Sequence, residues 1–326
     1  MARVAITGAS GLLGGNLAAE LVAAGHTVVA TKRGATKLGH LDDVAIEWRD
    51  ADLGSVDKLA AAFAGCEAVF HCAAAVSVER VVTSEMRDTN VGGTERVIEA
   101  CRKANVKRLV HTSSVVAIGL TTNGTPCDET AEWNFDREGL LDAYAITKHE
   151  AELVVQRADI DAVIVNPTYM IGPRDARPSS GKLVIKIAKR QVPGSTPGYN
   201  NFVDVRDVAR GMISVWQKGK RGERYILGGH DMTYRDFFAT VARVAGVKPP
   251  PFQIPYPIAK LVGRVGDFIE ARGKEPLTNS TQIDYAYTDK FRFTSQKAQK
   301  ELGYTYGPLE PAIGDALDWF RAKQML

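Results

Sequence analysis

Three residues of the 326-residue chain have the types and spacing of an acid–base centre: Ser114, Tyr144 and Lys148. Tyr144 and Lys148 stand four apart in YAITK (144–148), so on a helix they share one face. Ser114 closes the run LVHTSS, thirty residues upstream. A carbonyl reduced by a hydride donor needs an acid for the nascent alkoxide, a group to orient the carbonyl, and a charge that makes the acid competent near neutral pH. Tyr144, Ser114 and Lys148 suit those parts in that order. A phenol of pKa about 10 is a weak acid–base unaided, and a neighbouring ammonium is expected to lower it. Tyr-x-x-x-Lys also recurs by chance at helical spacing, so its weight comes from the elements that surround it.

Those elements alternate. Apolar runs at 4–7, 27–32, 44–48, 67–73, 107–113 and 161–166 are separated by helical patterns near 12–24, 56–64, 85–103 and 139–157. Strands alternating with helices of this length predict an α/β fold, a parallel sheet covered on both faces. In such a sheet the segments after the carboxyl ends of the strands line a ligand crevice, where Ser114 and the YAITK helix can converge. After Asn166-Pro167 the rhythm breaks into a loop rich in Gly, Pro, Ser and Arg, then helices near 182–191, 206–217 and 233–245 and a strand near 223–227. We expect a nucleotide-binding domain over 1–166, with segments around 202–228 returning to it, and a smaller mixed substrate domain over 167–326.

The first strand runs into a glycine turn, TGASGLLG (7–14), with Gly8, Gly11 and Gly14 spaced G-x-x-G-x-x-G. Gly8 permits the sharp turn, Gly11 lets backbone N–H groups approach a pyrophosphate, and Gly14 lets helix and strand pack closely. The cofactor this predicts is a nicotinamide dinucleotide. An NAD-specific site would place an acid at the end of the second strand, but here the strand ends Thr31-Lys32-Arg33 with no acid until Asp42. Arg33 can fork onto a 2′-phosphate, with Lys37 as a second positive charge, so NADP(H) is expected. Asp52 and Leu53 fit an adenine-edge contact, although an Asp in such a loop is as often a cap.

The chain resembles the extended short-chain dehydrogenase/reductases along nearly its whole length. The resemblance rests on TGASGLLG (7–14), FHCAA (70–74), NVGGT (90–94), HTSSVVAIG (111–119), YAITK (144–148), NPTYMIGPRD (166–175), FVDVRDVARG (202–211) and SQKAQKELGY (295–304). Within that family it is most similar to the dihydroflavonol-4-reductase-like branch, as GERYILGG (222–229) also suggests. The resemblance implies a Rossmann-type doubly wound sheet with a small C-terminal substrate domain. It implies Ser114, Tyr144 and Lys148 as catalytic groups, and cofactor contacts from Ser10, Leu12, Leu13, Ala73, Ala74, Asn90, Thr112, the Asn166-Pro167-Thr168 turn, and Tyr144 and Lys148 themselves. It places Val76, Ser77, Tyr169, Met170 and Arg174 toward the substrate, Arg174 being as readily a loop ion pair. With Val78 and an apolar helix near Ile258–Ile269, these imply a partly hydrophobic pocket for a small carbonyl compound, although the amphipathic face at 254–271 fits a dimer surface or core equally well.

Two other functions remain open. A nucleotide-sugar epimerase or dehydratase would use the same Ser/Tyr/Lys set, but the residues ahead of Val203-Asp204-Val205 are Gly198, Tyr199, Asn200 and Asn201, with no Arg to meet a diphosphate. Arg174, Arg177 or Lys182 could substitute. A non-catalytic NADP-binding regulatory protein would tolerate loss of Tyr144 or Lys148, and both are present. His71 and His111 lie inside apolar strands and read as core histidines.

The net charge of +3 is too small to imply nucleic acid or a membrane surface as partner, and no apolar stretch approaches bilayer length. Cys66, Cys72, Cys101 and Cys127 show neither metal spacing nor a disulfide pattern, so no metal is expected and the thiols read as reduced. With no leader after Met1, a cytoplasmic location is expected. A two-fold contact through the helices near 85–103 and 139–157 is implied by the family, with Val97, Ala100, Ala151 and Val155 available to it or to the sheet.

Overall fold

The computed structural model describes residues 1–34, 36, 38–76, 81–272, 276 and 278–326. Strands β1 (Arg3–Thr7), β2 (Thr27–Lys32), β3 (Ile46–Asp50), β4 (Ala68–His71), β5 (Arg108–Thr112), β6 (Ala162–Pro167) and β9 (Arg224–Leu227) form one parallel sheet, ordered β3-β2-β1-β4-β5-β6-β9. Alternate residues of each strand face opposite ways, so β1 sends Val4 and Ile6 into one core and Ala5 into the other. Helices α1 (Leu12–Ala23) and α7 (Val205–Lys218) cover the first face; α2 (Val56–Phe63), α4 (Gly93–Lys103) and α5 (Ala143–Arg157) cover the second. Covered on both sides, β4 and β6 are buried along their whole length, which is why their sequences are continuous apolar runs. The strand order reverses between β1 and β4, and a crevice opens there at their carboxyl ends.

The boundaries move for local reasons. The third strand runs 46–50, two residues later than its apolar run. The helix expected over 85–103 is α3 (Ser84–Arg87), a π-turn (Asp88–Gly92) and then α4. The helix expected from 139 begins at Ala143, because Asp142 accepts the Ala145 N–H at 2.6 Å and caps it.

A second sheet, ordered β10-β8-β7, joins β7 (Tyr169–Ile171), β8 (Tyr199–Asp204) and β10 (His230–Thr233). The sequence reading missed all three strands, which are short and, in β8, begin Tyr-Asn-Asn. This sheet packs against α6 (Gly181–Ala188), α8 (Tyr234–Ala245) and α12 (Leu309–Ala322) around an aromatic core in which Phe202 stacks on Phe237 at 4.0 Å. Helix α11 (Gln296–Leu302) returns to the first core through Ala298 and Leu302. Helix α9 (Tyr256–Glu270) rests on α10 (Ser280–Tyr287), with Gly263 and Gly266 against Ser280 and Thr278.

The structure decides between the alternatives for two apolar faces. Val97, Ala100, Ala151 and Val155 are all buried inside the chain, 3% exposed or less, so they are not available to a partner. In α9 Ala259 is buried, whereas Ile258, Leu261, Val262, Val265 and Phe268 face outward. Among the described residues no helix is long and apolar enough to cross a membrane.

Candidate active site

The glycine turn joins β1 to α1 where the crevice opens. Gly8 has φ +76°, and a Cβ there would strike the backbone of Cys72 and Ala73 after β4, so only glycine fits. A Cβ on Gly14 would collide with the Gly8 carbonyl. Gly11 differs. Its φ is −90°, and a Cβ would meet only the Gly8 carbonyl at 3.4 Å, so neither backbone strain nor packing within the chain requires glycine there. A side chain would instead fill the exposed space over the turn. Helix α1 also opens with no side-chain cap and no acid in its first turn, leaving the N–H groups of Leu12, Leu13 and Gly14 ahead of the first bond, Gly15 to Gly11. A cradle kept clear of side chains beside uncapped N–H groups fits a dinucleotide pyrophosphate.

Ser114, Tyr144 and Lys148 converge at the end of β5. The Ser114 side chain lies beside the Tyr144 phenol and favours its ionised form, and its hydroxyl caps the short 3-10 turn Val115–Ala117 by accepting the Val116 N–H at 3.4 Å. Lys148 is buried, and its ammonium donates to the Thr112 carbonyl at 2.6 Å. Burial pulls the Lys148 pKa down to about 8, opposed by the charge of Glu152. Burial pushes the Tyr144 phenol up to about 12, offset in part by Ser114 and reinforced by Asp142. The expected depression of Tyr144 by Lys148 is therefore absent in the protein alone, because the ammonium is held on a carbonyl rather than on the phenol.

A buried network supports the helix from beneath. Glu152, one turn beyond Lys148, is 1% exposed and accepts from Asn166 Nδ2 at 2.7 Å and Arg224 at 3.0 Å. Asn166 Nδ2 also donates to the Ser114 carbonyl at 3.0 Å, so one amide ties the serine to the helix. The Asp142 cap receives the Tyr285 hydroxyl at 2.6 Å, which ties the start of α5 to α10. None of Glu152, Arg224 and Tyr285 was singled out as a site residue; the one available signal was Glu152 at the next helical repeat after 144 and 148.

His71 and His111 are buried, as their strands imply. Thr94 Oγ1 donates to the Asn90 carbonyl, so it accepts from His71 Nε2 (3.2 Å), leaving Nδ1 to accept from Thr7 (2.7 Å). Both imidazoles are held neutral by burial, His71 down to about 3 from 6.5 and His111 well below its usual value. A depressed pKa means that the unfolded chain binds the extra proton, so this stability is fully present above pH 6.5 and is lost as pH falls toward 3. His71 alone should cost about 2 kcal/mol between pH 7 and pH 5. Urea unfolding at the two values should show a smaller loss for His71→Gln than for the parent; equal losses would reject the account.

The remaining expected site residues divide. Asn90 spends its side chain on the chain itself, bonding both the N–H and the carbonyl of Ala75 (2.7 and 2.9 Å) and Thr147 (3.0 Å), so it positions the loop of Ala73 and Ala74 instead of presenting a free amide. Asp52 caps Gly54 at 2.8 Å, and Leu53 packs against the second core. Thr112 offers its carbonyl to Lys148 and its hydroxyl to Cys72. Beside Pro167, Thr168 is buried with an unpartnered hydroxyl. Arg33 is exposed at the end of β2 and pairs with none of the described side chains. Asp50, opposite Lys32 on β3, brings an acid near it that linear distance concealed, but its carboxylate is engaged by the Gly34 N–H at 3.0 Å. Of the substrate candidates, Val76 is exposed past β4. Tyr169 belongs to the aromatic core, its hydroxyl on the Ser180 carbonyl, and Met170 packs on the first core. Arg174 forks onto Asp43 and the His40 carbonyl, the ion-pair alternative. Lys37, Ser77 and Val78 lie outside the described residues.

Comparison with known proteins agrees with this geometry. The family model described as "NAD dependent epimerase/dehydratase family" matches residues 4–228. A putative dihydroflavonol 4-reductase of Synechocystis sp. is 32% identical, covering 97% of this chain and 94% of its own. Sterol demethylase protein B of Methylococcus capsulatus is 32% identical, covering 98% and 99%. The crystal structure of gox2253 superposes with a TM-score of 0.86 at 32% identity, covering 100% of both chains. The chain belongs to the NAD dependent epimerase/dehydratase family of extended short-chain dehydrogenase/reductases.

Proposed function

We propose that the protein reduces a small, partly hydrophobic carbonyl compound to an alcohol with NADPH. One observation carries the reading: Ser114 lies beside Tyr144, with Lys148 one turn along α5, at the end of the sheet that holds the open glycine cradle. The N–H groups of Leu12, Leu13 and Gly14, with Ser10, would hold the dinucleotide phosphates, and Arg33 its 2′-phosphate. The dinucleotide would supply the hydride. Ser114 would orient the carbonyl and Tyr144 would protonate the alkoxide. A phenol raised by burial is protonated at pH 7 and still a stronger acid than an alcohol, so it can supply that proton. Lys148 would hold the ribose hydroxyls and keep a positive charge beside the reacting oxygen.

The relative named a dihydroflavonol 4-reductase supports this reading over an epimerase. So does the engagement of the residues ahead of Val203, since Asn200 and Asn201 bond Tyr234 and Asp231, and of Arg174, which is held by Asp43. A panel of ketones and aldehydes with NADPH should show one cofactor oxidised per alcohol formed; turnover without net oxidation would point to the epimerase. Arg33→Ala should weaken NADPH by about 1.5–3 kcal/mol and leave NADH unchanged. Equal NADPH and NADH affinities in the parent would end the NADP assignment.

A further inference from the structure

Helix α9 leaves its apolar face uncovered. Ile258, Leu261, Val262, Val265 and Phe268 fall at helical spacings of three and four, so they form one stripe, and each is between 43% and 63% exposed. The helix touches the rest of the chain on another side, through Ala259, Gly263 and Gly266. Phe252, just ahead of the helix, is exposed as well. A contiguous apolar patch of this kind on a folded protein marks an interaction surface.

The charges beside the stripe identify the occupant. Both acids of α9 are turned to α10: Asp267 accepts the N–H and hydroxyl of Ser280, and Glu270 accepts from Asn279. Among the described residues the other charges of α9 and the residues just after it are basic. Lys260 donates to the Tyr256 hydroxyl, which itself donates to Asp284 of α10, Arg272 lies over the Phe268 ring, and Arg264 pairs with none of the described residues. The net charge of +3 over the whole chain hides this local excess. A second copy of the chain, meeting stripe to stripe, would bring two basic rims together, and among the described residues neither acid of α9 is free to answer them. An anionic lipid surface answers both features, since acyl chains take the apolar stripe and headgroups take the rim. At 15 residues, about 22 Å, the helix is too short and too one-sided to span a bilayer. We propose that α9 lies in the surface of an anionic bilayer and docks the enzyme there.

Co-sedimentation with equimolar phosphatidylcholine–phosphatidylglycerol vesicles tests this, with pure phosphatidylcholine vesicles as control. The protein should pellet with the anionic vesicles, less at high salt, and little with the neutral ones. Each basic residue near such a surface contributes about fivefold, so Lys260→Glu with Arg264→Glu should lower partitioning by at least about 25-fold. Val265→Asp should abolish it; that position is already in water, and an unchanged melting curve would show that the fold is retained. The proposal is overturned if the parent does not pellet with anionic vesicles, or if Val265→Asp pellets equally. It is also overturned if light scattering finds a dimer that Val265→Asp dissociates while vesicles bind neither form, which would identify a second copy as the occupant.

Discussion

Tyr144→Phe is expected to cut turnover of a carbonyl substrate by about 10²–10⁴-fold while cofactor affinity is unchanged. The substitution keeps the ring in its place beside the apolar cluster of Val115, Phe135 and Ile226 and removes one hydroxyl, which faces Ser114 and carries the transferable proton. The two measurements must be made together. Fluorescence titration of the cofactor reports the cradle at Gly11 and α1, which the hydroxyl does not touch, whereas steady-state turnover reports proton transfer. Lys148→Ala provides the contrast, since it removes the charge and the proposed ribose contact at once and should damage both readouts. If Tyr144→Phe retains full turnover on a verified substrate, the mechanism is wrong even though the fold stands.

The second large effect is expected away from the chemistry. Arg224→Met removes the guanidinium that pairs with Glu152 at 3.0 Å and leaves a carboxylate whose side chain is 2% exposed. Breaking a buried pair from one side costs about 3–5 kcal/mol, because the remaining charge has lost its partner but not its burial. Arg224 is itself 22% exposed, beside a groove lined by Trp133, His149 and Glu152, so water can reach the vacated position and the lower end of that range applies. Chemical unfolding of Arg224→Met, Glu152→Gln and the double variant separates causes. If the stranded charge is responsible, the double variant is more stable than Arg224→Met. If packing is responsible, it is no more stable, and the explanation falls.

What could be read from the sequence was local. The glycine turn and YAITK are short segments whose geometry is set within a few residues, and both lie where the alternating runs placed them. What escaped depended on partners far along the chain. Arg174 meets Asp43 131 residues away, and Arg224 meets Glu152 72 residues away. In linear order each is an ordinary charge on a loop or strand. Asp50 was overlooked beside Arg33 for the same reason, since strand pairing, not chain distance, sets Asp50 against Lys32. Tyr169 faces the aromatic core because β7 alternates, and that strand of three residues is too short for periodicity to reveal which side faces the crevice. The pKa of Tyr144 could not be read from Lys148 being four residues away, because the direction of the ammonium depends on the Thr112 carbonyl.

The first sheet is completed late. Strand β9 pairs with β6 from residues 224–227, and α7, which covers the face of β1, begins only at Val205. A nascent chain that has emerged only as far as Pro167 therefore carries every proposed catalytic group, yet β6 still presents an open edge and the apolar side of α1 is bare. Such an intermediate is sticky before it is functional. Synthesis of the next sixty residues becomes the interval in which a chaperone has most to protect, and a gene fragment cut at the apparent sequence boundary would preserve that exposed state permanently.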